Sequence, residues 1–336
     1  MECTIAADHR QWMKLSDEGP EAAPTMAPPE FETAPQPAGA AAPGLSQLEE
    51  AIVQAVAYSD IFDYPLRVSE IHRYLMGVAA SRAEVAIALA NGRLVPRYLS
   101  ARDGFYCLAG REETIEMRRQ RTERSRQVWA RAFRFGRIIA SLPFVRMVAV
   151  TGELAMDNVG PRSDIDYFIV TEPGRLWLTR LMTVAVARFA GTPEICPNYL
   201  LTDRALELDD RNAYTAHEVA QMVPIAGLET YRRLRELNGW VLDYLPNAAS
   251  PPRHIEAPAY LPRLRRLIEL PLRTSLGAKL ERWEMERKIR KLSGGNGRLP
   301  ETAYSADRCK GHIDGHGERI LAVFDERWQS VKVKLP

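Results

Sequence analysis

The spacing of apolar residues predicts that the folded part of the chain begins near Ser46 with three helices. In the first helix, apolar side chains recur every three or four residues, at Leu48, Ile52, Val53 and Val56. A second, short helix is predicted over Leu66–Met76. Ser81 begins a third helix, and Glu84 follows three residues later, as in a capping box.

Two short strands, Leu94–Leu99 and Phe105–Leu108, are predicted next, joined at the favoured tight-turn pair Asp103-Gly104. Three helices followed by a hairpin resemble a winged helix-turn-helix domain, which would imply DNA binding. The candidate recognition helix, Ser81–Asn91, is mostly apolar, whereas a helix that reads a DNA groove presents several polar and basic groups. Its composition therefore favours a packing or substrate-presenting module over a DNA-binding one.

A long helix is predicted from Glu112 to Ser141, and Pro143 marks its end. Its basic side chains are Arg118, Arg119, Arg121, Arg124, Arg126, Arg131, Arg134 and Arg137. This helix could track a phosphate backbone. The acids interspersed along it favour the simpler reading, a solvated helix supported by pairs such as Glu123 with Arg119 and Arg126.

Three apolar runs predict the strands of a sheet, at Val145–Val150, Asp166–Thr171 and Ile195–Leu201. Pro197 cannot donate to a ladder, so the third strand is expected at an edge or to contain a bulge. Helices are predicted around these strands, at Leu176–Ala190, Thr215–Met222 and Leu228–Tyr244. A proline-rich linker at 246–261 then precedes two further helices, a basic amphipathic one at Leu264–Leu292 and a final one at Glu318–Val331.

The whole pattern predicts an α+β protein with a mixed sheet and helices, divided into five parts. These are a disordered tail (1–45), a winged-helix-like domain (46–110), a basic connecting helix (111–143), a sheet-containing core (144–245), and a linker with a helical C-terminal extension (246–336). The tail is rich in Pro, Ala, Glu and Gly, so it cannot bury enough apolar surface to offset its ordering entropy.

The composition of the chain indicates the cellular environment of the protein but does not indicate its function. The 45 basic and 43 acidic residues leave a net charge of +2, which requires neither a nucleic-acid nor a membrane partner. The four cysteines are widely scattered and indicate no disulfide framework. The sequence shows no secretory signal, and no apolar run approaches the roughly 20 residues of a membrane helix. We therefore expect a soluble, cytoplasmic protein.

Candidate chemistry lies where the first predicted sheet strand ends. That strand ends at Gly152, and eleven residues later Ser163-Asp164-Ile165-Asp166 runs into the next strand. Side chains two apart on a strand point to one face, so Asp164 and Asp166 should project together while Ile165 enters the core. Two carboxylates on one face can hold divalent cations.

This arrangement resembles the polymerase-beta-like nucleotidyltransferase superfamily, over about residues 125–205. The resemblance implies Mg²⁺ or Mn²⁺ bound by Asp164 and Asp166, a nucleoside triphosphate as substrate, and transfer of the nucleoside monophosphate to a hydroxyl acceptor. Gly152 would allow close approach of the phosphates, and Ser163 would orient the carboxylates. The acceptor is left open and could be a small molecule, a protein or RNA.

Two positions depart from the family pattern. Glu153 stands where the family has Ser or Gly, and its carboxylate would repel phosphate unless it turns away or joins the metal shell. The third acid of the family should lie on the strand 195–201, where this chain has Asn198, flanked by Glu194 and Asp203. An amide oxygen can bind magnesium but brings no charge. The alternative function is accordingly a catalytically inactive regulator or nucleic-acid-binding adaptor with the same fold.

A second group of candidate ligands lies near the C-terminus. Cys309, His312 and His316 have side chains that suit zinc, but no second ligand pair of the usual finger pattern follows. The same segment could instead return to cover the Asp164/Asp166 site, with His312 or His316 contacting the substrate. His217 and Glu218 lie on a helix after the core and are predicted to be packing or surface residues.

The composition of the tail generates a direct prediction. Limited proteolysis should remove residues 1–44 and leave a stable fragment, because this segment cannot form a core. Mass spectrometry of the fragments would locate the cleavage sites. Protection of the segment at protease concentrations that cut other exposed loops would contradict the prediction.

Overall fold

The computed structural model describes residues 44–189, 191, 195–253, 262–293, 304–310 and 315–333. The predicted tail lies outside these residues except for its last two positions. Outside them too lie the second half of the linker, the glycine-rich stretch 294–297, and His312. Within the described residues the protein is α+β, with a two-stranded hairpin and a five-stranded mixed sheet.

Residues 44–110 fold as three helices followed by the hairpin. The helices are α1 (Gln47–Asp60), α2 (Val68–Arg73) and α3 (Arg82–Ala90), and the strands are β1 (Leu99–Arg102) and β2 (Phe105–Leu108). The predicted capping box at Ser81 is present, because its hydroxyl accepts from the amide of Glu84 while the Glu84 carboxylate accepts from the Ser81 amide. Asp103 and Gly104 both adopt positive φ, as the predicted tight turn requires.

The predicted position of the first hairpin strand was wrong, because β1 begins at Leu99, where that strand was expected to end. Leu94 and Tyr98 are buried in the core of this region without joining a strand. Pro96 lies between them and has no N–H to donate to a ladder. The spacing of apolar residues therefore correctly indicated which residues are buried here, but the hydrogen-bonded strand begins only after Pro96.

The sheet is framed by one long helix before it and several shorter ones between its strands. The chain continues through α4 (Glu113–Ala140), β3 (Val145–Thr151), α5 (Gly152–Ala155), β4 (Ile165–Thr171), α6 (Leu176–Phe189), β5 (Ile195–Thr202), α7 (Ala213–Gln221), β6 (Val223–Ala226), α8 (Leu228–Leu237) and α9 (Val241–Tyr244). It ends with α10 (Pro262–Leu272), α11 (Ser275–Ser293), β7 (Arg308–Lys310) and α12 (His316–Lys332).

The sheet has the strand order β6-β3-β4-β5-β7. Strand β4 runs antiparallel to β3 and parallel to β5, while β6 and β7 pair antiparallel at the two outer positions. One face of the sheet packs against α4 and α6 through residues such as Tyr167 and Ile169. The other face packs against α7 and α8 through residues such as Phe168 and Val170. Alternate residues of β4 thus enter two separate apolar layers.

The C-terminal segment differs from its prediction in one respect, because the expected helix Leu264–Leu292 is two helices, α10 and α11. Pro271 lies in the last turn of α10, and α11 begins at Ser275. Gly277 packs so closely that a Cβ atom there would lie 1.9 Å from the carbonyl oxygen of Leu272. The chain therefore folds back on itself between the two helices in a way that only glycine permits at this position.

Buried glutamates on these two helices bind backbone amides of the core. Glu281 on α11 accepts from the amides of Trp177 (2.9 Å) and Leu178 (2.7 Å), in the first turn of α6. Glu269 on α10 accepts from the amide of Phe144 (3.0 Å), just before β3. The C-terminal helices thus supply acceptors for donors that α6 and the start of β3 cannot satisfy themselves. No helix in the described part of the chain combines the length and apolarity that crossing a membrane requires.

Removing the Glu281 carboxylate should destabilise the whole core. In Glu281→Ala, two amides of α6 lose their acceptor in a buried position, which should lower the free energy of unfolding by about 2–4 kcal/mol. Glu286→Ala, at an exposed position of the same helix, should change it by less than about 0.5 kcal/mol. Urea titration followed by circular dichroism measures both. Equal stability of the two variants would show that these hydrogen bonds contribute nothing measurable.

Candidate functional site

Three neighbouring strands bring one residue each into a row across the sheet. In the β3–β4 register Thr151 lies opposite Asp166, and in the β4–β5 register Asp166 lies opposite Cys196. Asp166 follows the alternation of β4 and shares the face of Phe168 and Val170, while Ile165 is buried in the opposite layer. Asp164 precedes β4 and is exposed, whereas Asp166 is half-buried. The two carboxylates therefore stand at the open end of the central strand.

Gly152 lies directly against Asp166. Its φ is +65°, and a Cβ atom added to it would lie 2.6 Å from Oδ2 of Asp166. Both the backbone conformation and the contact exclude other residues at this position without a local shift. The backbone of Gly152 thus lies directly against the Asp166 carboxylate, with no side chain between them.

Glu153 turns toward the loop that precedes β4. One of its carboxylate oxygens accepts from the hydroxyl of Ser163 and, at 3.2 Å, from the amide of Gly160. The Ser163 oxygen accepts in turn from the Gly160 amide at 2.7 Å. Ser163 therefore positions the carboxylate of Glu153, and these bonds hold Glu153 on the loop. Glu153 thus turns away from the position of the phosphates, which is one of the two ways in which it would not repel them; the other is to join the metal shell.

Asp166 lies in an environment that disfavours its charge. Burial raises the pKa of Asp166 to about 6, and the nearby Asp164 and Glu153 add to this, while a hydrogen bond from Cys196 opposes it. Within the described residues, Asp164 and Asp166 form no ion pair with any basic side chain. The site therefore carries negative charge that the surrounding protein does not neutralise.

Cys196, rather than Asn198, is the residue of β5 that meets Asp166. Burial and the Asp166 carboxylate raise the pKa of the Cys196 thiol to about 12, so it stays a neutral donor. The register shifts between Cys196 and Tyr199, because β5 advances three residues over the interval in which β4 advances two, from Asp166 to Phe168. Pro197 thus lies in a bulge, one of the two arrangements expected for it. The bulge places Asn198 out of register with Asp166, although Asn198 is the residue of this strand expected at the position of the family's third acid.

A further acid approaches Asp166 from helix α7. The pKa of Glu218 is raised to about 7, first by burial and second by repulsion from Asp166, while Lys310 on β7 opposes both effects. The ammonium group of Lys310 pairs with Asp210 at 2.8 Å. Glu218 is therefore part of the acidic site, although the sequence placed it among packing or surface residues. The apolar neighbours of Glu218, namely Ala216, Val219 and Ala220, predicted a helix that packs against the core. No pattern in this part of the sequence indicated that Glu218 has a partner on β4.

His217, next to Glu218, is a packing residue, as predicted. Its ring stacks on Tyr58 of α1 with centroids 3.9 Å apart, and Nδ1 donates to the carbonyl of Ala213 at 2.7 Å. Burial lowers the pKa of His217 to about 4, so the ring is neutral at physiological pH. This stack joins residues 44–110 to the core directly beside Glu218.

The C-terminal histidine and cysteine group is only partly described. Cys309 is a buried, free thiol in the centre of β7, and His316 begins α12 with its ring 5.7 Å from that of Tyr214 on α7. His312 lies outside the described residues. Of the described ends of this segment, His316 lies against Tyr214 of α7, and the charge of Lys310 lowers the pKa of Glu218.

A magnesium ion would fit the donor set of this site. Among the described residues, no three His, Cys, Asp or Glu side chains are grouped so as to hold a metal by themselves. Magnesium, however, is commonly bound by one or two carboxylates, with water and substrate phosphates completing its six ligands. Asp164 and Asp166 provide those carboxylates, and their uncompensated charge favours a cation.

Comparison of the chain with protein-family models, curated proteins and solved structures finds no significant match. The function is therefore inferred from the row formed by Thr151, Asp166 and Cys196 and from the acids around it.

The raised pKa of Asp166 predicts a pH-dependent stability. The pKa of Asp166 in the folded state (about 6) exceeds the ordinary value of 3.8. The contribution of Asp166 to the free energy of unfolding is therefore fully present below about pH 4 and is lost as the pH rises through about 6. Asp166→Asn should remove this loss and be more stable than the wild type at pH 7.5, by roughly 2–3 kcal/mol.

Urea titrations between pH 4 and pH 8 would measure the effect, in buffer without divalent cations. Asp325→Asn, at an exposed position of α12, is the control and should follow the wild type. If the free energies of unfolding of the wild type and Asp166→Asn differed by the same amount at every pH in this range, the Asp166 carboxylate would not be under the repulsion described.

Proposed function

We propose that this protein is a magnesium-dependent nucleotidyltransferase that moves a nucleoside monophosphate from a nucleoside triphosphate to a hydroxyl acceptor. The observation that carries the proposal is the placement of Asp164 and Asp166 at the open end of the central strand, with the backbone of Gly152 against Asp166. This is the site that the polymerase-beta-like resemblance implies. The α+β core with its mixed sheet agrees with that resemblance at the level of fold class.

In the proposed reaction the acceptor oxygen attacks the α-phosphorus of the triphosphate. A new oxygen–phosphorus bond forms, the bond from the α-phosphorus to the bridging oxygen breaks, pyrophosphate leaves, and the hydroxyl proton passes to water. Asp164 and Asp166 hold magnesium, which when bound orients the triphosphate and neutralises the charge of the leaving group. The protein's own part is to fix Asp166 on a rigid strand and to place Asp164 directly before that strand.

Glu218 takes the place of the third acid in this proposal. The family pattern expects that acid on the strand next to Asp166, but here the position opposite Asp166 is occupied by a neutral thiol, Cys196. Glu218 on α7 supplies negative charge beside Asp166 from the facing helix layer. Its charge adds to the attraction for a cation without requiring an acid on β5.

Residues 44–110 form a wall near the same site. Tyr58 of α1 stacks on His217, and the ionised form of Glu218 also acts on the Tyr58 hydroxyl, whose pKa is raised mainly by burial. We propose that this winged-helix-like region positions the acceptor molecule. A nucleic-acid-binding role gains no support from α3, because its exposed residues are mostly apolar, among them Ala86 and Ile87.

The proposal predicts that magnesium and nucleotide together stabilise the folded protein. At a concentration 100 times the Kd, a ligand that binds only the folded state should raise the free energy of unfolding by about 2.7 kcal/mol. Thermal melts with each of the four common triphosphates, with Mg²⁺ or Mn²⁺, should show this gain for the wild type. Asp166→Ala should gain little, because it loses half of the cation's protein ligands.

Asp325→Ala serves as the control and should gain as much stability as the wild type. Incubation with labelled triphosphates and cell extract would then show transfer to a small-molecule, protein or RNA fraction and so identify the acceptor. Stabilisation by magnesium-nucleotide without any transfer would favour the alternative, an inactive regulator of the same fold. No stabilisation by any pair at millimolar concentration would rule out the active enzyme.

A further inference from the structure

A second polar cavity, of about 240 Å³, lies between the N-terminal region and the last helix. Its walls come from the end of α1, the segment before β1, the end of β2 and one face of α12. The residues that matter for its chemistry are Asp60, Arg97, Tyr98, Arg111 and Arg327. None of the acidic site's residues lines it, so the two are separate places on the molecule.

Asp60 fixes two of the three arginines. It is buried at the end of α1, and its two carboxylate oxygens accept from Nε of Arg111 at 3.1 Å and from Nη1 of Arg327. Arg111 is further held by Asp63 and Glu113. Arg327 has Asp60 as its ion-pair partner within the described residues, and a guanidinium carries five N–H donors. Arg327 therefore keeps donors for a ligand, in an orientation that Asp60 sets.

Arg97 enters from the opposite wall. It is exposed, forms no ion pair with any acid that the structure describes, and stacks on the ring of Tyr98 with its guanidinium carbon 5.2 Å from the centroid. Tyr98 itself is buried, and its hydroxyl has no hydrogen-bond partner among the described residues. The ring of Tyr98 therefore holds the Arg97 guanidinium at the cavity wall.

We propose that this cavity binds the phosphate group of a small anion, through the guanidinium groups of Arg97 and Arg327. Guanidinium donors suit phosphate oxygens, because arginine binds phosphate with two parallel hydrogen bonds. The volume is below the roughly 300–1,000 Å³ typical of sites for drug-sized ligands. It therefore suits inorganic phosphate or a small phosphomonoester, and the apolar Leu108 and Val331 offer a surface for a short organic group.

Isothermal titration calorimetry and thermal melts with inorganic phosphate test the proposal, at constant ionic strength and in EDTA. Without divalent cations, the acids of the other site repel phosphate, so binding reports on this cavity alone. Phosphate should bind and raise the melting temperature, while acetate at equal ionic strength should do so less. Arg97→Gln should weaken phosphate binding about tenfold or more, because it removes a charged donor without breaking an ion pair.

Tyr98→Phe keeps the ring on which Arg97 stacks, so it should bind phosphate as the wild type does. In the absence of phosphate it should keep or raise the melting temperature, because it removes an unsatisfied buried hydroxyl. Arg82→Gln, at an exposed position of α3, is the matched control and should bind as the wild type does. Tighter binding of glycerol phosphate than of inorganic phosphate would identify an ester ligand, and the reverse a free anion. Absence of phosphate binding, or equal binding by the wild type and Arg97→Gln, would overturn the proposal.

Discussion

The rest of the core depends on strand β4, because this strand is paired on both edges and covered on both faces. Its alternate residues are committed to two apolar layers, Tyr167 and Ile169 to one and Phe168 and Val170 to the other. A charged residue can be placed on such a strand only where the coverage ends, and Asp166 stands at that end. The ladder bonds to β3 and β5 fix its backbone from both sides, so the carboxylate has little freedom to move away from Asp164 and Glu153. A rigid sheet thus maintains a repulsion that a flexible loop would relieve.

Two glutamates of the C-terminal helices contribute to the rigidity of the sheet through hydrogen bonds to the backbone around it. Glu281 binds the first turn of α6, which packs under the sheet, and Glu269 binds the backbone just before β3. Burial raises the pKa of Glu269, but the hydrogen bond from the Phe144 amide and the pairs with Arg265 and Arg273 outweigh it and hold the pKa below the ordinary value. The C-terminal helices therefore take part in the hydrogen bonding of the core.

The sequence predicted the elements whose signal is local and missed the ones that depend on contacts. Strands β3, β4 and β5 were placed to within one residue, because each is a continuous apolar run. The acids Asp164 and Asp166 were found by their spacing alone. Strand β7 has only three residues, Arg308–Lys310, and carries no pattern that distinguishes it from a loop. Glu218 and Cys196 join the site because a helix and a parallel strand happen to face β4, and the bulge at Pro197 displaced Asn198 from the position that simple alternation gave it. Such neighbours are fixed by tertiary packing, which spacing along the chain does not encode.

The late position of β7 has a consequence for the newly made chain. Strand β5 has β7 as its outer partner, and β7 lies about a hundred residues further along the sequence. At ordinary rates of translation the edge of β5 stays uncovered for on the order of ten seconds after it leaves the ribosome, and an open edge invites pairing with other chains. Among the described residues, β7 pairs with Tyr199–Leu201, and Pro197 lies before this paired stretch. Proline has no N–H to offer a foreign strand. The residue that lies in the bulge beside Asp166 therefore also removes one hydrogen-bond donor from the strand while it waits for β7.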